Sequence, residues 1–313
     1  MPLVLAGKVF RSMNFSMCSA SGVLALTMYS DVLTPKEFVV ARANMVAVSG
    51  IVSFLMPILS AALMRQRAGL RKVYAATAAL AFGQAVICAE LLPETLEERK
   101  PFKPINPFGF VKLFTFNRSM TKMMFASLTT NFLELKNLTD LYNTWYRSEV
   151  NASVEQFRSL VGLTMIPSGS IVVPALIKRL GMFGFTTFAG ATNALSWLLT
   201  AAMPWSSRPS SLMYLSLALM VPGVTGNSGS ALRAYAMKYG KQVGLSSGEY
   251  AGYQANLKAI AGTVAPALYG NVYYHSKKLG ITPAICWVVV TVICSILPEF
   301  MWRAIPKSEL PEE

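Results

Sequence analysis

The residues in this chain best placed to do chemistry are polar side chains set inside apolar stretches. Ser127, Thr130, Asn131, Glu134 and Asn137 recur at spacings of three and four, which on a helix places them along one face. Glu134 is an acid well inside such a stretch, and Lys258 is the deepest base, sharing its stretch with Tyr250, Gln254 and Asn256. Gln254 and Lys258 are one helical turn apart and face the same way. A charge near a bilayer centre costs about 3 kcal/mol or more unless it meets water or a partner. Such groups therefore fit contacts to a polar or charged solute, an ion pair between Glu134 and Lys258, or a proton carried on Glu134. Burial raises a carboxyl pKa, and a nearby lysine opposes that rise. Two bland readings stand beside these: an inert pair that holds helices together, and a Lys258 that snorkels to the membrane surface. Asn227 is a further candidate contact, within Pro222-Gly223-Val224-Thr225-Gly226-Asn227-Ser228-Gly229-Ser230. Small residues there let helices approach closely, and Pro222 interrupts the backbone ladder.

The elements that must carry these residues are long and apolar. Nine stretches of roughly twenty residues, near 12–30, 43–63, 73–92, 121–145, 158–177, 182–203, 211–232, 250–273 and 283–302, are each long enough to cross a hydrocarbon core about 30 Å thick. The first is diluted by Asn14, Ser16, Ser19, Ser21 and Thr27, and a signal peptide is the alternative for it, since Lys8 and Arg11 precede it. Apolar residues are 53% of the 313 and charged residues only 14%, too apolar a composition for one soluble core. The expected class is an all-α, polytopic membrane helix bundle. The net charge of +13 is spread singly or in pairs between the stretches, which fits anionic lipid headgroups and not nucleic acid. Cys18, Cys88, Cys286 and Cys294 lie inside apolar stretches without a Cys-x-x-Cys pair and read as small core residues. The single histidine, His275, reads as a loop residue. Tyr142, Trp145 and Tyr146 read as an interfacial aromatic belt, and Arg233 and Lys238 as headgroup contacts.

The stretches are divided three and six by residues 93–120, a link rich in Glu, Lys and Pro in which Pro101, Pro104 and Pro107 oppose a helix. Asp31-Val-Leu-Thr-Pro35-Lys36-Glu37, then a stretch with Gly50 and Pro57, then Leu92-Pro93-Glu94-Thr95-Leu96, resembles the fourth to sixth helices of the major facilitator superfamily. Its drug and proton antiporter branch, including the tetracycline-efflux type, is the nearer likeness. Gly169 through Pro174 to Lys178-Arg179-Leu180-Gly181 resembles the eighth helix and the turn before the ninth. Gly248-Glu249-Tyr250-Ala251-Gly252 through Gly262 to Pro266 resembles the eleventh. The sequence departs from antiporters in the fifth helix, where Met56-Pro57-Ile58-Leu59-Ser60 keeps only the proline and Gly50. The family's first three helices have no counterpart, so the chain is expected to be either a fragment or a reduced relative. The resemblance implies a partial facilitator fold: a three-helix partial bundle at 1–92, a cytoplasmic link at 93–120, a six-helix bundle at 121–303 and a cytoplasmic tail at 304–313. It also implies a central cavity bordered by the helices of Glu134 and Lys258.

That topology places 31–42, 178–181 and 233–249 on the cytoplasmic side, where Lys and Arg are somewhat in excess, although Arg65, Arg67, Arg71 and Lys72 fall outside. It leaves the sequon Asn151-Ala152-Ser153 outside. The expected function is a secondary active or facilitative transporter of a small solute, coupled or not to protons, working by alternating access. The alternative is a non-transporting scaffold or regulatory protein derived from a transporter. An enzyme is not expected: the spans hold no paired aspartates, histidine cluster or Ser-His couple, and no phosphate-binding loop of the Gly-x-x-x-x-Gly-Lys-Ser/Thr type occurs. No metal or cofactor is expected, and the partners are the lipid bilayer and the solute.

Overall fold

The computed structural model describes residues 27–66, 68–91, 108–132, 141–142, 144–150, 154–223, 227–242 and 244–306. Among them the regular structure is entirely helical. After a short helical segment at 27–32 come α1 (Pro35–Met64), α2 (Gly69–Leu91) and α3 (Arg118–Asn131). Next are α4 (Val154–Pro167), a π turn at Ser168–Val172, α5 (Val173–Ala202) and α6 (Pro209–Met220). The last are α7 (Asn227–Gln242), α8 (Ser247–Lys278) and α9 (Ile285–Arg303).

Local sequence explains where several of these start and turn. At α1 the Thr34 amide donates to the Glu37 carboxylate at 2.9 Å and the Glu37 amide returns to the Thr34 hydroxyl at 3.3 Å, with Pro35 in the first turn. Ser246 and Glu249 build the same reciprocal box at α8. Asn117 caps α3 by accepting from the Met120 amide at 2.8 Å, and its own amide reaches the Tyr239 hydroxyl of α7 at 2.6 Å. Within α5, Gly181 has φ 68° and ψ 177°, a conformation open in practice only to glycine, and it forms the turn expected after Lys178-Arg179-Leu180.

Three stretches among the described residues are long and apolar enough to cross a membrane: Pro35–Met64, Ser159–Trp205 and Ile285–Arg303. The second, 47 residues bent at Gly181, contains two of the predicted spans. Large apolar side chains line the exterior, including Ile171, Phe82 and Phe300 at 66%, 73% and 70% exposure. A surface of that kind suits lipid and is unfavourable in water.

α1 packs most extensively on α4, and it also meets α2, α7 and the π turn. Gly50 and Gly162 let the α1 and α4 backbones touch: a Cβ on Gly50 would lie 2.7 Å from the Gly162 carbonyl. α5 packs on α6, α7 and α9, while α3 meets α7, α8 and α9. Between α5 and α6, Ser196, Thr200 and Ser216 form a buried hydroxyl triad, with Oγ–Oγ distances of 2.8 Å for Ser196–Ser216 and 3.0 Å for Thr200–Ser216. Such bonds hold helices together where apolar contact alone has little driving force.

Four expectations change. Tyr142, Trp145 and Tyr146 do not form a lipid-facing belt; they are buried around Trp287, with Tyr142–Trp287 and Trp197–Trp287 ring centroids 4.6 and 5.5 Å apart. Aromatic faces gain more from each other than from a headgroup layer when helices bring them within this range. His275 is not in a loop but in the last turn of α8. The predicted span at 211–232 is two helices, α6 and α7, with a turn at 221–223 where Pro222 withholds its backbone donor. Arg233 points inward and not at headgroups, as described next. Cys286 and Cys294 are buried, as read. Residues 1–26, most of the 93–120 link, the sequon at Asn151 and the tail from 307 lie outside the described residues.

Candidate functional site

The polar stripe on α3 meets two other helices in the interior. Asn131 is buried, and its side-chain oxygen accepts a 2.7 Å hydrogen bond from Arg233 Nη2 of α7, 102 residues later in the chain. One turn back, the Ser127 hydroxyl donates to Gln254 Oε1 of α8 at 3.2 Å. The Gln254 amide nitrogen in turn reaches the Tyr250 hydroxyl at 2.9 Å and Met124 Sδ at 3.0 Å. Three helices distant in sequence thus converge on one cluster that carries a half-buried cation, Arg233. A guanidinium held in low dielectric attracts a carboxylate or phosphate more strongly than one in water, and its planar fork suits two-point contact.

The predicted candidates divide as follows. Asn131 and Gln254 belong to the cluster. Thr130 sits beside it: its hydroxyl donates to the Ser127 carbonyl at 2.9 Å and lies 3.4 Å from the place of a Cβ on Gly229. Lys258 is half-buried one turn beyond Gln254. Asn227 is the first residue of α7, but its side chain lies outside the described residues, and so do Glu134 and Asn137. The expected Glu134–Lys258 pair therefore also lies outside them. Arg233 is the member that sequence reading missed. The available signal was Gly229 one turn earlier on the same helix, whose missing side chain leaves room beside α3.

One end of the molecule is tied across the chain. Asp31 accepts from Lys241 at 3.0 Å and from the Ser247 hydroxyl at 2.8 Å, joining the segment before α1 to the end of α7 and the start of α8. Beside this contact lies a cleft of about 360 Å³ lined by Asp31, Thr34, Phe38, Met237, Lys238 and Lys241. Asn117 and Tyr239 meet at the same end, so the start of α3 lies there too. At the α8 C-terminus, Glu149 pairs with Lys277 at 2.8 Å and accepts from Tyr273 at 3.1 Å. Partial burial alone would raise the Glu149 carboxyl; the bonds from Lys277, Ser148 and Tyr273 outweigh it and hold that pKa below the usual carboxylate value. Lys277 is raised by its bonds to Glu149 and Tyr273.

Comparison with protein-family models, with curated proteins and with solved structures gives no match for this chain. The functional reading therefore rests on the site itself.

Proposed function

We propose that this chain is a multi-pass membrane protein of nine spans, built like part of a major facilitator, and that it moves a small polar or anionic solute by alternating access. The observation that carries this reading is the cluster of Ser127, Asn131, Arg233 and Gln254, contributed by three helices and buried inside a bundle with an apolar exterior. Polar groups at membrane depth persist where they face a pathway or one another, and a guanidinium is a permanent cation whose planar fork of donors suits an anionic group. Arg233 binds the solute's anionic group, Asn131 and Gln254 orient it, and Lys258 lies one turn beyond Gln254. The Asp31–Lys241–Ser247 contact closes one end, and it opens when the segment at 27–64 swings away from α7 and α8. Proton coupling and antiport belong to this proposal through Glu134.

The experiment is flux into vesicles reconstituted with the purified chain, with a panel of carboxylate, phosphate and zwitterionic solutes, with and without a pH gradient. Uptake of an anionic solute that is lost in Arg233→Gln supports the reading. Flux equal to that of protein-free vesicles across the panel refutes it. A scaffold role is the second reading, favoured by α2, which packs on α1 and leaves Tyr74, Leu80 and Phe82 68%, 66% and 73% exposed. Its signature is an absence of flux together with capture of a second membrane protein by crosslinking through that face.

A further inference from the structure

Away from the Arg233 cluster, a second polar space lies between α3, α5, α7 and α9. It has a volume of about 40 Å³, and Thr130, Asn193, Gly229, Ser295, Glu299 and Trp302 are among its lining residues. That is room for a few water-sized particles. Two of the lining groups are conspicuous. Ser295 and Trp302 are only 5% and 3% exposed, yet Ser295 Oγ and Trp302 Nε1 have no hydrogen-bond partner among the described residues. A buried polar atom left so is normally satisfied by water or an ion.

The oxygen atoms converge. Glu299 Oε2 and the Ser295 carbonyl each lie 3.8 Å from the point where a Cβ on Gly190 would sit, so the glycine opens a gap onto which both oxygens face. The other carboxylate oxygen of Glu299 is already engaged, accepting from Thr187 at 2.5 Å and from Arg303 Nε at 2.7 Å. The helix itself is distorted at this wall: Val292–Ile296 is a π turn in which the Leu297 amide reaches back to the Val292 carbonyl, and Pro298 supplies no donor. π turns and prolines of this kind re-aim backbone carbonyls, and they recur at functional sites. Thr130, which gives its proton to the Ser127 carbonyl, presents its oxygen to the space as an acceptor. Asn193, whose amide packs against Gly223, also lines the space.

We propose that this space is a binding site for a monovalent cation, with sodium as its natural occupant. One carboxylate oxygen, the Ser295 carbonyl and hydroxyl, and the Thr130 oxygen supply hard neutral and singly charged ligands, and water hydrogen-bonded to Trp302 Nε1 completes the shell. The one carboxylate shares its charge with the largely exposed Arg303 and so favours at most a monovalent ion, whereas a divalent ion would demand more acidic groups than line the space. Among the described residues, Arg303 on the same helix pairs with Glu299, and Lys122 of α3 reaches the end of that helix. Arg303 is 56% exposed, and the Lys122 ammonium donates to the Ala304 carbonyl, beyond the end of α9. Arg303 holds the outer oxygen and leaves Oε2 for the ion. Through Thr130, the neighbour of Asn131, the ion would touch the helix that carries the solute cluster. The binding itself can be measured whether or not the chain transports anything.

The test is thermal unfolding of the purified full chain in detergent, read by tryptophan fluorescence, in sodium, potassium or choline chloride at constant ionic strength and at several pH values. Sodium is expected to raise the midpoint saturably over choline, and Glu299→Gln to abolish that rise. Glu299→Gln also loses a charge partner of Arg303, so Gly190→Ala is the cleaner variant: its methyl meets only ordinary contacts at 3.8 Å and fills the gap. Gly190→Ala should keep or modestly raise the choline midpoint, as alanine does inside a helix, and lose at least tenfold in sodium affinity. Equal midpoints in all three salts overturn the proposal, and so does an unchanged sodium response in Gly190→Ala. Stabilisation by low pH that needs Glu299, without any sodium response, also overturns it and makes this a protonation site.

Discussion

Replacing Gly169 with alanine should loosen the junction between α1 and the helices after the link. A Cβ built on Gly169 would lie 2.0 Å from the Ala43 carbonyl oxygen, 2.7 Å from the Ala47 amide nitrogen and 2.9 Å from the Ala47 side chain. Two of these three neighbours are α1 backbone atoms, so no side-chain rotation relieves the clash. Because real Cβ atoms essentially never come within 3.0 Å of another heavy atom, α1 and the π turn must separate by about 1 Å. A gap of that order forfeits about a quarter to a half of each dispersion contact along the crossing, and overpacking of this kind costs about 1–3 kcal/mol. Gly83 and Gly270 are the controls, since a Cβ on either meets nothing within 4 Å. Alanine there should stabilise the helices by about 0.5–1 kcal/mol. Denaturant unfolding in mild detergent, followed by fluorescence of the buried Trp145, Trp197 and Trp287, separates the two outcomes. A lower midpoint for Gly169→Ala beside raised midpoints for Gly83→Ala and Gly270→Ala is expected. If all three behave alike, the close approach of α1 is wrong.

Further outcomes follow from the polar contacts. Asn131→Ala removes the acceptor of Arg233 Nη2, a bond to a charged group, and should cost about 1.5–3 kcal/mol in the same unfolding assay. Ser216→Ala breaks the hydroxyl triad between α5 and α6 and should cost about 0.6–1.5 kcal/mol; an unchanged midpoint would show the triad to be dispensable. For Glu149 the folded pKa is lowered, so its contribution is complete above its unfolded value of 4.5 and is lost as pH falls through the folded one. For Lys277 the folded pKa is raised, so its contribution is complete below 10.5 and is lost at more alkaline pH. A midpoint scan should therefore sag at both extremes, and Glu149→Gln should flatten the sag attributable to this pair.

Much of the framework was legible because it depends on local chemistry. Lys178-Arg179-Leu180-Gly181 ends a helix because glycine alone tolerates the turn, whereas the helix that Thr34-Pro35-Lys36-Glu37 starts begins well before the span expected near 43–63. The spacing of Ser127 and Asn131 correctly placed both in the interior. What the sequence could not reveal depended on partners far along the chain. Arg233 sits after an apolar stretch much as a headgroup-binding residue would, and its bond to Asn131, 102 residues away on α3, is invisible in the sequence. Trp145 and Tyr146 look interfacial by position, yet Trp197 and Trp287 from other helices enclose them. Glu299 escaped notice for a similar reason. It lies near the end of an apolar stretch, where an acid is ordinarily solvated, and its significance comes from Thr187 and Gly190 on α5.

Whether the Arg233 cluster faces a solute pathway is decided by uptake into reconstituted vesicles. Saturable entry of an anionic solute is expected, abolished by Arg233→Gln and weakened by Asn131→Ala, in protein that still unfolds cooperatively. Uptake unaffected by Arg233→Gln, or no uptake above empty vesicles for any solute in the panel, would contradict it.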